Sequence, residues 1–473
     1  MLVIVSDIHL TDGTSGETVH QGTLRVFRER LRGLAYSASW RADGKYRPIE
    51  RLDIVLLGDI LDVLRSSRWL EDRPGVPARL RPWDDPESPE FTGKIRAITG
   101  AILEKNAVFF TMMRELRDTA IASVPAAAGD SRPLLVDANR DGSRRLPVRV
   151  SIHYMVGNHD WPFHLQHPAY HSIRNAVVQA LGLENNPYAP FPHDPAELGA
   201  EQIRRIFADH RVFARHGDIY DPFNFEGHRD QASLGDAIVI DLVTSFAAEV
   251  KTSLGDALPA ECLLAMREID NVRPLLMIPV WVGGLLRRTC PDLRLHREVQ
   301  EIWNGLVDRF MHNPFVREHF KKSRFPVEVE KLKWALRLSK RLLSPESSRL
   351  ICWAGQIVGR QKRSYSDYAL QEEHFKNKTS KFIVYGHTHH HEMIPLDVSY
   401  SGEYASPQIY LNSGTWRPVH ELTRLQPSRE TFAGYHSMTY LVFFKDDERG
   451  GRTFECWSGS LSSSKCVSYN SVK

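Results

Sequence analysis

The chain has 473 residues, 42% of them hydrophobic and 25% charged, which is ordinary globular composition and excludes a disordered or collagen-like chain. Its net charge of +3 is too small to argue a polyanionic partner from the total. Five cysteines (Cys262, Cys290, Cys352, Cys456, Cys466) form no C-x-x-C pair and are odd in number, so a reducing, cytoplasmic setting is expected.

Met1 runs directly into an apolar, strand-like stretch, Leu2 to Val5, which leaves no room for a signal peptide. Asp7-Ile8-His9 follows that stretch. Ile54 to Leu57 is a second apolar run and ends at Gly58-Asp59. A first insert then occupies about 66–147. Residues 72–92 are rich in Pro and charge and read as loop. Lys94 to Ala120 places Ile95, Ile98, Ile102, Phe109, Met112, Met113 and Leu116 near a 3.6 period, which predicts one helix covering a sheet. Residues 125–147 read as an exposed loop or hairpin.

Ile152 to Val156 precedes Gly157-Asn158-His159-Asp160, and Val212 to Ala214 lies just before His216-Gly217-Asp218. A second, mostly helical insert is predicted over 235–379, with candidate helices at 238–250, 298–311 and 327–343. The third alternates Lys331, Lys333, Arg337, Lys340 and Arg341 with leucines, a pattern that suits an anionic membrane surface, a phosphate backbone or a solvated face. The longest apolar run, 274–286, is shorter than the roughly 20 residues a bilayer needs and is interrupted by Pro279 and Gly283-Gly284. It reads as a buried segment, with an interfacial one as the alternative. Phe382 to Tyr385 then precedes Gly386-His387-Thr388-His389. His390 and His391 read as rim residues.

Ligands at the ends of several strands can converge, because open α/β sheets place their sites just beyond the carboxyl ends of strands. Two Asp, four His and one Asn make a mixed oxygen and nitrogen donor set without thiolate. Such a set suits Mn, Fe, Zn or Co rather than Ca or Mg alone. Each motif alone is commonplace; the five in this order spell a two-metal site.

These motifs resemble the calcineurin-like metallophosphoesterase superfamily over roughly 1–65, 148–230 and 380–445. The resemblance implies an α/β fold, a metallophosphoesterase β-sandwich flanked by helices (an α/β/β/α four-layer core) with a large helical insert. It implies a core in two parts, 1–234 and 380–473, around a helical lid at 235–379. It implies two divalent metal ions, manganese foremost, with Fe, Zn, Co or Ni as alternatives. Asp7, His9, Asp59 and His389 would hold the first ion; Asp59 as a bridge, Asn158, His216 and His387 the second. His159 would stabilise the phosphate and protonate the leaving oxygen, and Asp160 would accept from its other ring nitrogen. A water shared by the two cations would lose its proton near neutral pH and attack in line.

The flanks Ile60-Leu61-Asp62 and Tyr410-Leu411-Asn412-Ser413-Gly414-Thr415-Trp416 look most like the branch of UDP-2,3-diacylglucosamine pyrophosphohydrolases. That branch usually has Arg at the place of His159 and a shorter lid. The expectation is hydrolysis of a phosphodiester or pyrophosphate bond in a substrate that is nucleotide- or lipid-linked, with peripheral membrane contact as an option. The alternatives are a DNA or RNA nuclease of the same superfamily, and a regulatory protein that binds a partner through the insert.

Overall fold

A computed structural model describes residues 1–16, 19, 21–72, 79–118, 123–134, 145–273, 275–340, 364–401, 404–423 and 431–461. The fold is mixed α/β. All five apolar runs that precede the motifs are strands: β1 (Leu2–Val5), β2 (Arg51–Leu57), β5 (Arg149–Met155), β6 (Val212–Ala214) and β8 (Phe382–Tyr385). β3 (Ser123–Pro125) and β4 (Arg145–Pro147) pair antiparallel, so the stretch read as loop or hairpin is closed as a hairpin.

The larger sheet has the order β5-β2-β1-β12-β11-β7, where β7 is Val272–Arg273, β11 Pro418–Leu422 and β12 Phe432–Phe443; β13 (Phe454–Leu461) also pairs with β12. β1, β2 and β5 are mutually parallel. The smaller sheet has the order β6-β8-β10-β9, with β9 at His391–Ser401 and β10 at Tyr404–Ser413. Here β6, β8 and β10 are parallel.

Strand periodicity separates the layers, because successive side chains point to opposite faces. Leu2, Ile4, Val55 and Leu57 join Val212, Ala214, Val384 and Leu411 in one buried cluster, which seals the two sheets against each other. Val3, Val5, Ile54 and Leu56 point the other way. They pack under helices Gln21–Ala38, Pro89–Lys105, Ala107–Asp118 and Ala169–Leu181. On the outer face of the smaller sheet, Phe213, Ile383, Tyr385 and Tyr410 pack against Tyr365 and Ala369 of a short helix. The motif-bearing ends of β1, β2 and β5 therefore meet those of β6 and β8 along one edge.

The single helix expected at 94–120 is two, Pro89–Lys105 and Ala107–Asp118, and residues 119–120 lie outside the described part. The first starts within the stretch read as loop, with Ser88 capping it through the N–H of Phe91. Asn106 breaks the run: its side-chain amide donates to the carbonyls of Ile102 and Thr11, both at 2.8 Å. Such local side-chain bonding competes with continued helix.

The second insert is largely helical where described, and residues 234–336 contribute most of an apolar cluster of their own. The candidate at 238–250 begins as a π-helix, Ile238–Thr244, and continues as α-helix to Leu254. Leu293–His312 contains the second candidate, and Pro326–Ser339 covers the third, expected at 327–343, only as far as Ser339; residues 341–363 lie outside the described part. Of the apolar run at 274–286, Leu275–Met277 is a 3-10 turn and 278–286 opens helix Ile278–Thr289, buried from Ile278 to Leu286, which removes the interfacial alternative for those residues. Two lysines of the basic segment are ion-paired, Lys333 with Glu330 at 2.6 Å and Lys340 with Asp308 at 2.7 Å. One feature of the insert has no periodic signal. β7 is two residues long and joins the larger sheet beside β11. Among the described residues, no helix is long and apolar enough to cross a membrane.

Candidate metal centre

Seven side chains from the five strand ends converge. Asp7, His9 and His389 form one group whose donor atoms lie within 4.8 Å of each other; Asp59, His216 and His387 form another. Asp59 joins them. Its Oδ2 lies 3.6 Å from Nε2 of His9 and 3.2 Å from Nε2 of His216. In the first half, Nε2 of His389 is 3.0 Å from Nε2 of His9 and 3.3 Å from Oδ1 of Asp7. In the second, Oδ1 of Asn158 is 3.0 Å from Nδ1 of His387.

The backbone is shaped for this convergence. Asp7, His9, Asp59, His387 and His389 all have positive φ, between 51° and 68°. They are half of the ten such non-glycine residues among those described. Each costs on the order of 1 kcal/mol or more, and such strain concentrates at functional sites. The glycines leave no space for a side chain. A Cβ on Gly58 would lie 2.5 Å from Nδ1 of His216, and one on Gly386 2.6 Å from Oδ2 of Asp7; one on Gly157 would run into Asp59 and His216.

Two atoms test whether cations fit. Oδ1 of Asp7 and Nε2 of His216 are buried and accept or donate no hydrogen bond. A buried polar atom without a partner is costly. Each belongs to one of the two donor groups, Oδ1 of Asp7 beside His389 and Nε2 of His216 beside Asp59. The remaining atoms of the ligands are tied down. Nδ1 of His216 donates to the Leu57 carbonyl at 2.9 Å, which aims Nε2 inward. Oδ2 of Asp7 accepts from Ser6 and from the N–H of His387. Nε2 of His387 donates to Asp221 at 2.9 Å, and the Asn158 amide donates to Asn224 at 3.2 Å, which leaves its carbonyl oxygen for an ion. Such outer partners fix tautomer and orientation around metal-binding histidines.

Charge follows from burial without counter-ions. Burial alone would lower the pKa of His216, but the Asp59 and Asp7 carboxylates overcome it and raise it to about 10. Burial likewise opposes ionisation of Asp59, yet the surrounding histidines, His216 first, hold it below its ordinary range. A proton on His216 thus supplies positive charge between the two carboxylates.

His159 lies beside His9, ring centroids 4.7 Å apart and nearly perpendicular. Its backbone N–H donates to Oδ1 of Asp59. Asp160 does not accept from its ring. Nδ1 of His159 donates instead to Oδ1 of Asp62, at 2.8 Å. The Asp160 carboxylate turns the other way and accepts from Ile60 N–H, Gly157 N–H and the Tyr154 hydroxyl. It locks the Gly-Asn-His-Asp loop to the loop after β2, and its side chain makes no helix-capping bond. Of the rim residues, His390 is exposed, and His391 begins β9 with Nδ1 on the Asn412 carbonyl.

Asp62, Asp221, Asn224 and Arg273 touch the site without having been singled out for it. Arg273, from β7 in the second insert, places Nη2 3.0 Å from Nδ1 of His389. Burial pushes its guanidinium down to about 9. Only the three-residue step from Asp59 to Asp62 left a trace in the motif. No family model matches this chain, and no curated protein matches it.

Proposed function

We propose that the chain is a dinuclear-metal phosphoesterase of the calcineurin-like type, cleaving a phosphodiester or pyrophosphate bond. The observation that carries the reading is the Asp59 carboxylate between two half-sites, each of which keeps an unpartnered buried atom, Oδ1 of Asp7 and Nε2 of His216. The two sealed sheets with helices outside each are in keeping with the layered core that the resemblance implies.

Two divalent cations, when bound, clamp the oxygens of an in-line phosphoryl displacement and acidify a water. Asp7, His9, Asp59 and His389 would hold one, and Asp59, Asn158, His216 and His387 the other. Manganese heads the choices for this donor set. Asp59 spreads one negative charge between both positions. His159 offers Nε2 to the leaving oxygen, because Asp62 occupies Nδ1 and fixes the ring. Burial works against a charged imidazole there, but Asp62 and Asp59 raise its pKa, so it carries a proton to give. Arg273 supplies a buried cation at the rim, suited to a second phosphate or a non-bridging oxygen.

The insert acts as a selector, since Arg273 reaches His389 and Asp236 accepts from the Trp161 indole at 3.1 Å, next to Asp160. Pairing of Lys333 with Glu330 and of Lys340 with Asp308 makes two of the basic residues of that segment less available to a nucleic-acid backbone. A small phosphoester, nucleotide- or lipid-linked, is therefore preferred over DNA or RNA. The deciding assay is a Mn²⁺-dependent panel of bis-p-nitrophenyl phosphate, p-nitrophenyl phosphate, UDP-sugar lipids and single-stranded DNA. No turnover of any member with metal bound would overturn the proposal; cleavage of DNA alone would favour the nuclease reading.

A further inference from the structure

A second cluster of donors lies outside the dinuclear centre. His164 closes the short helical turn Trp161–His164, which directly follows Asp160. His193 and Glu197 stand in the segment before helix Glu201–Asp209. Their donor atoms lie within 4.8 Å of one another. Nε2 of His164 is 3.3 Å from Oε1 of Glu197, and Nδ1 of His193 is 2.5 Å from the same oxygen.

The contact with His193 is not an ordinary hydrogen bond. Nδ1 of His193 is buried and has no partner in hydrogen-bonding geometry, although the carboxylate oxygen is so near. The two atoms are close without lying donor to acceptor. The other atoms of the cluster are already committed. Nδ1 of His164 donates to Asp230 at 2.6 Å, and Nε2 lies within hydrogen-bond reach of Oε1 of Glu197, so an ion would take the place of the Nε2 hydrogen. Oε2 of Glu197 accepts from the backbone N–H of His193 at 2.8 Å and of Asp194 at 3.4 Å, while Oε1 is shared between the two imidazoles. A carboxylate behind a histidine is the usual outer partner of a metal-bound imidazole.

We propose that His164, His193 and Glu197 bind a divalent transition-metal ion, Zn²⁺ by preference, at a third site distinct from the dinuclear centre. Two imidazoles and one carboxylate are a zinc donor set, with the fourth position open to water. The side chains are 13%, 22% and 26% exposed, so an ion can enter from solvent. The proposal does not rest on the phosphoesterase reading.

The site would act as a clamp. Neighbours of its residues reach the second-metal half of the centre. Asp194 pairs with Arg215, next to His216, at 2.9 Å. Arg229, next to Asp230, donates to the Gly157 carbonyl at 3.1 Å and pairs with Asp218 at 2.5 Å. An ion at the cluster would tie the turn after the Gly-Asn-His-Asp loop to both of these anchors.

The test uses full-length protein stripped with chelator, dialysed against Zn²⁺ and analysed for metal, with thermal unfolding measured in parallel. The double variant Asp59→Asn, His216→Ala, which disables the dinuclear centre, should keep one zinc per chain and unfold at higher temperature with zinc than without. Adding His193→Ala should remove that zinc and abolish the shift. If the double variant does not fold, Glu197→Gln in the otherwise native chain should bind one zinc fewer than the native protein. Zinc content unaffected by His193→Ala, or by Glu197→Gln in that fallback, would overturn the proposal, as would a double variant that folds and holds no zinc.

Discussion

Asp62 holds His159 through Oδ1, at 2.8 Å from Nδ1, while its Oδ2 lies 2.7 Å from Nδ1 of His9. One carboxylate thus orients both a candidate ligand and the candidate acid. Burial resists its charge, but His159 and Arg65 hold its carboxyl well below the usual range. The partner expected from the next position in the chain, Asp160, serves the loop instead.

Asp62→Asn should therefore weaken two functions at once. Loss of an outer carboxylate behind a metal-binding histidine costs about 10- to 100-fold in affinity or activity. Metal titration and kcat should both fall. Asp160→Asn should lower the unfolding temperature and leave metal affinity closer to native. Equal metal affinity in Asp62→Asn and native protein would contradict the shared role.

The strand ends were legible because each is an apolar run with a candidate ligand within two or three residues of its end, and burial on both faces needs such runs. The orienting partners were not. Asp221 and Asn224 reach His387 and Asn158 only once the ends of β6 and β8 in one sheet and of β5 in the other are brought together, and nothing in local spacing encodes that. β7 is two residues in a helical stretch, too short for any period, yet it carries Arg273 to His389. The helix break at Asn106 was hidden for another reason. Its partner Thr11 is 95 residues away.

Asp59→Asn and His159→Ala should separate binding from chemistry. Asp59→Asn removes the negative charge shared by both half-sites, so metal content and turnover should be lost together. His159→Ala should keep its metal and lose roughly 10²- to 10⁴-fold in rate, the range of a general acid. The loss should shrink for p-nitrophenyl leaving groups, which need little protonation. Equal losses for p-nitrophenyl and alkyl esters would leave His159 only an electrostatic role.

Gly157→Ala should be more damaging than its size suggests. The added methyl meets the Asp59 carboxylate and the His216 ring, both of which are packed in place. Overpacking of this kind costs about 1–3 kcal/mol, and the displaced atoms are ligands. Metal stoichiometry should fall along with stability. Gly100→Ala is the control: it lies in helix Pro89–Lys105 with open space at its Cβ, and should be neutral or stabilising. Similar metal content in the two variants would count against the packed geometry.

His210 makes stability depend on pH away from the metal centre. It is buried at the end of helix Glu201–Asp209, with Nδ1 donating to the Ile206 carbonyl at 2.8 Å. Burial, aided by the chain's amino terminus, pushes its pKa down to about 3 from 6.5. The unfolded chain therefore binds more protons than the folded one between those values. Stability is full above pH 6.5 and falls as pH drops toward 3, by on the order of 2 kcal/mol at pH 4.5. His210→Gln should flatten that part of the urea-unfolding profile between pH 6.5 and 4. Parallel profiles for the two proteins would refute the assignment.

Arg273 should show itself in substrate affinity rather than metal content. It lies on Nδ1 of His389 and lines a cleft with His390, Glu421 and Tyr435. Binding of a cation through Nε2 of His389 would put the ring hydrogen on Nδ1, where it opposes the guanidinium. The arginine would then turn into the cleft, a buried cation open to an anionic oxygen. A hydrogen bond from a charged donor contributes about 2 kcal/mol, so Arg273→Ala should lose roughly 30-fold in kcat/KM. The loss should fall on KM for substrates with a second phosphate and be slight for p-nitrophenyl phosphate. Arg273→Lys should recover part of it, since the charge returns without the planar fork. Uniform losses across both substrates, or loss of metal in Arg273→Ala, would assign the residue to holding His389 instead.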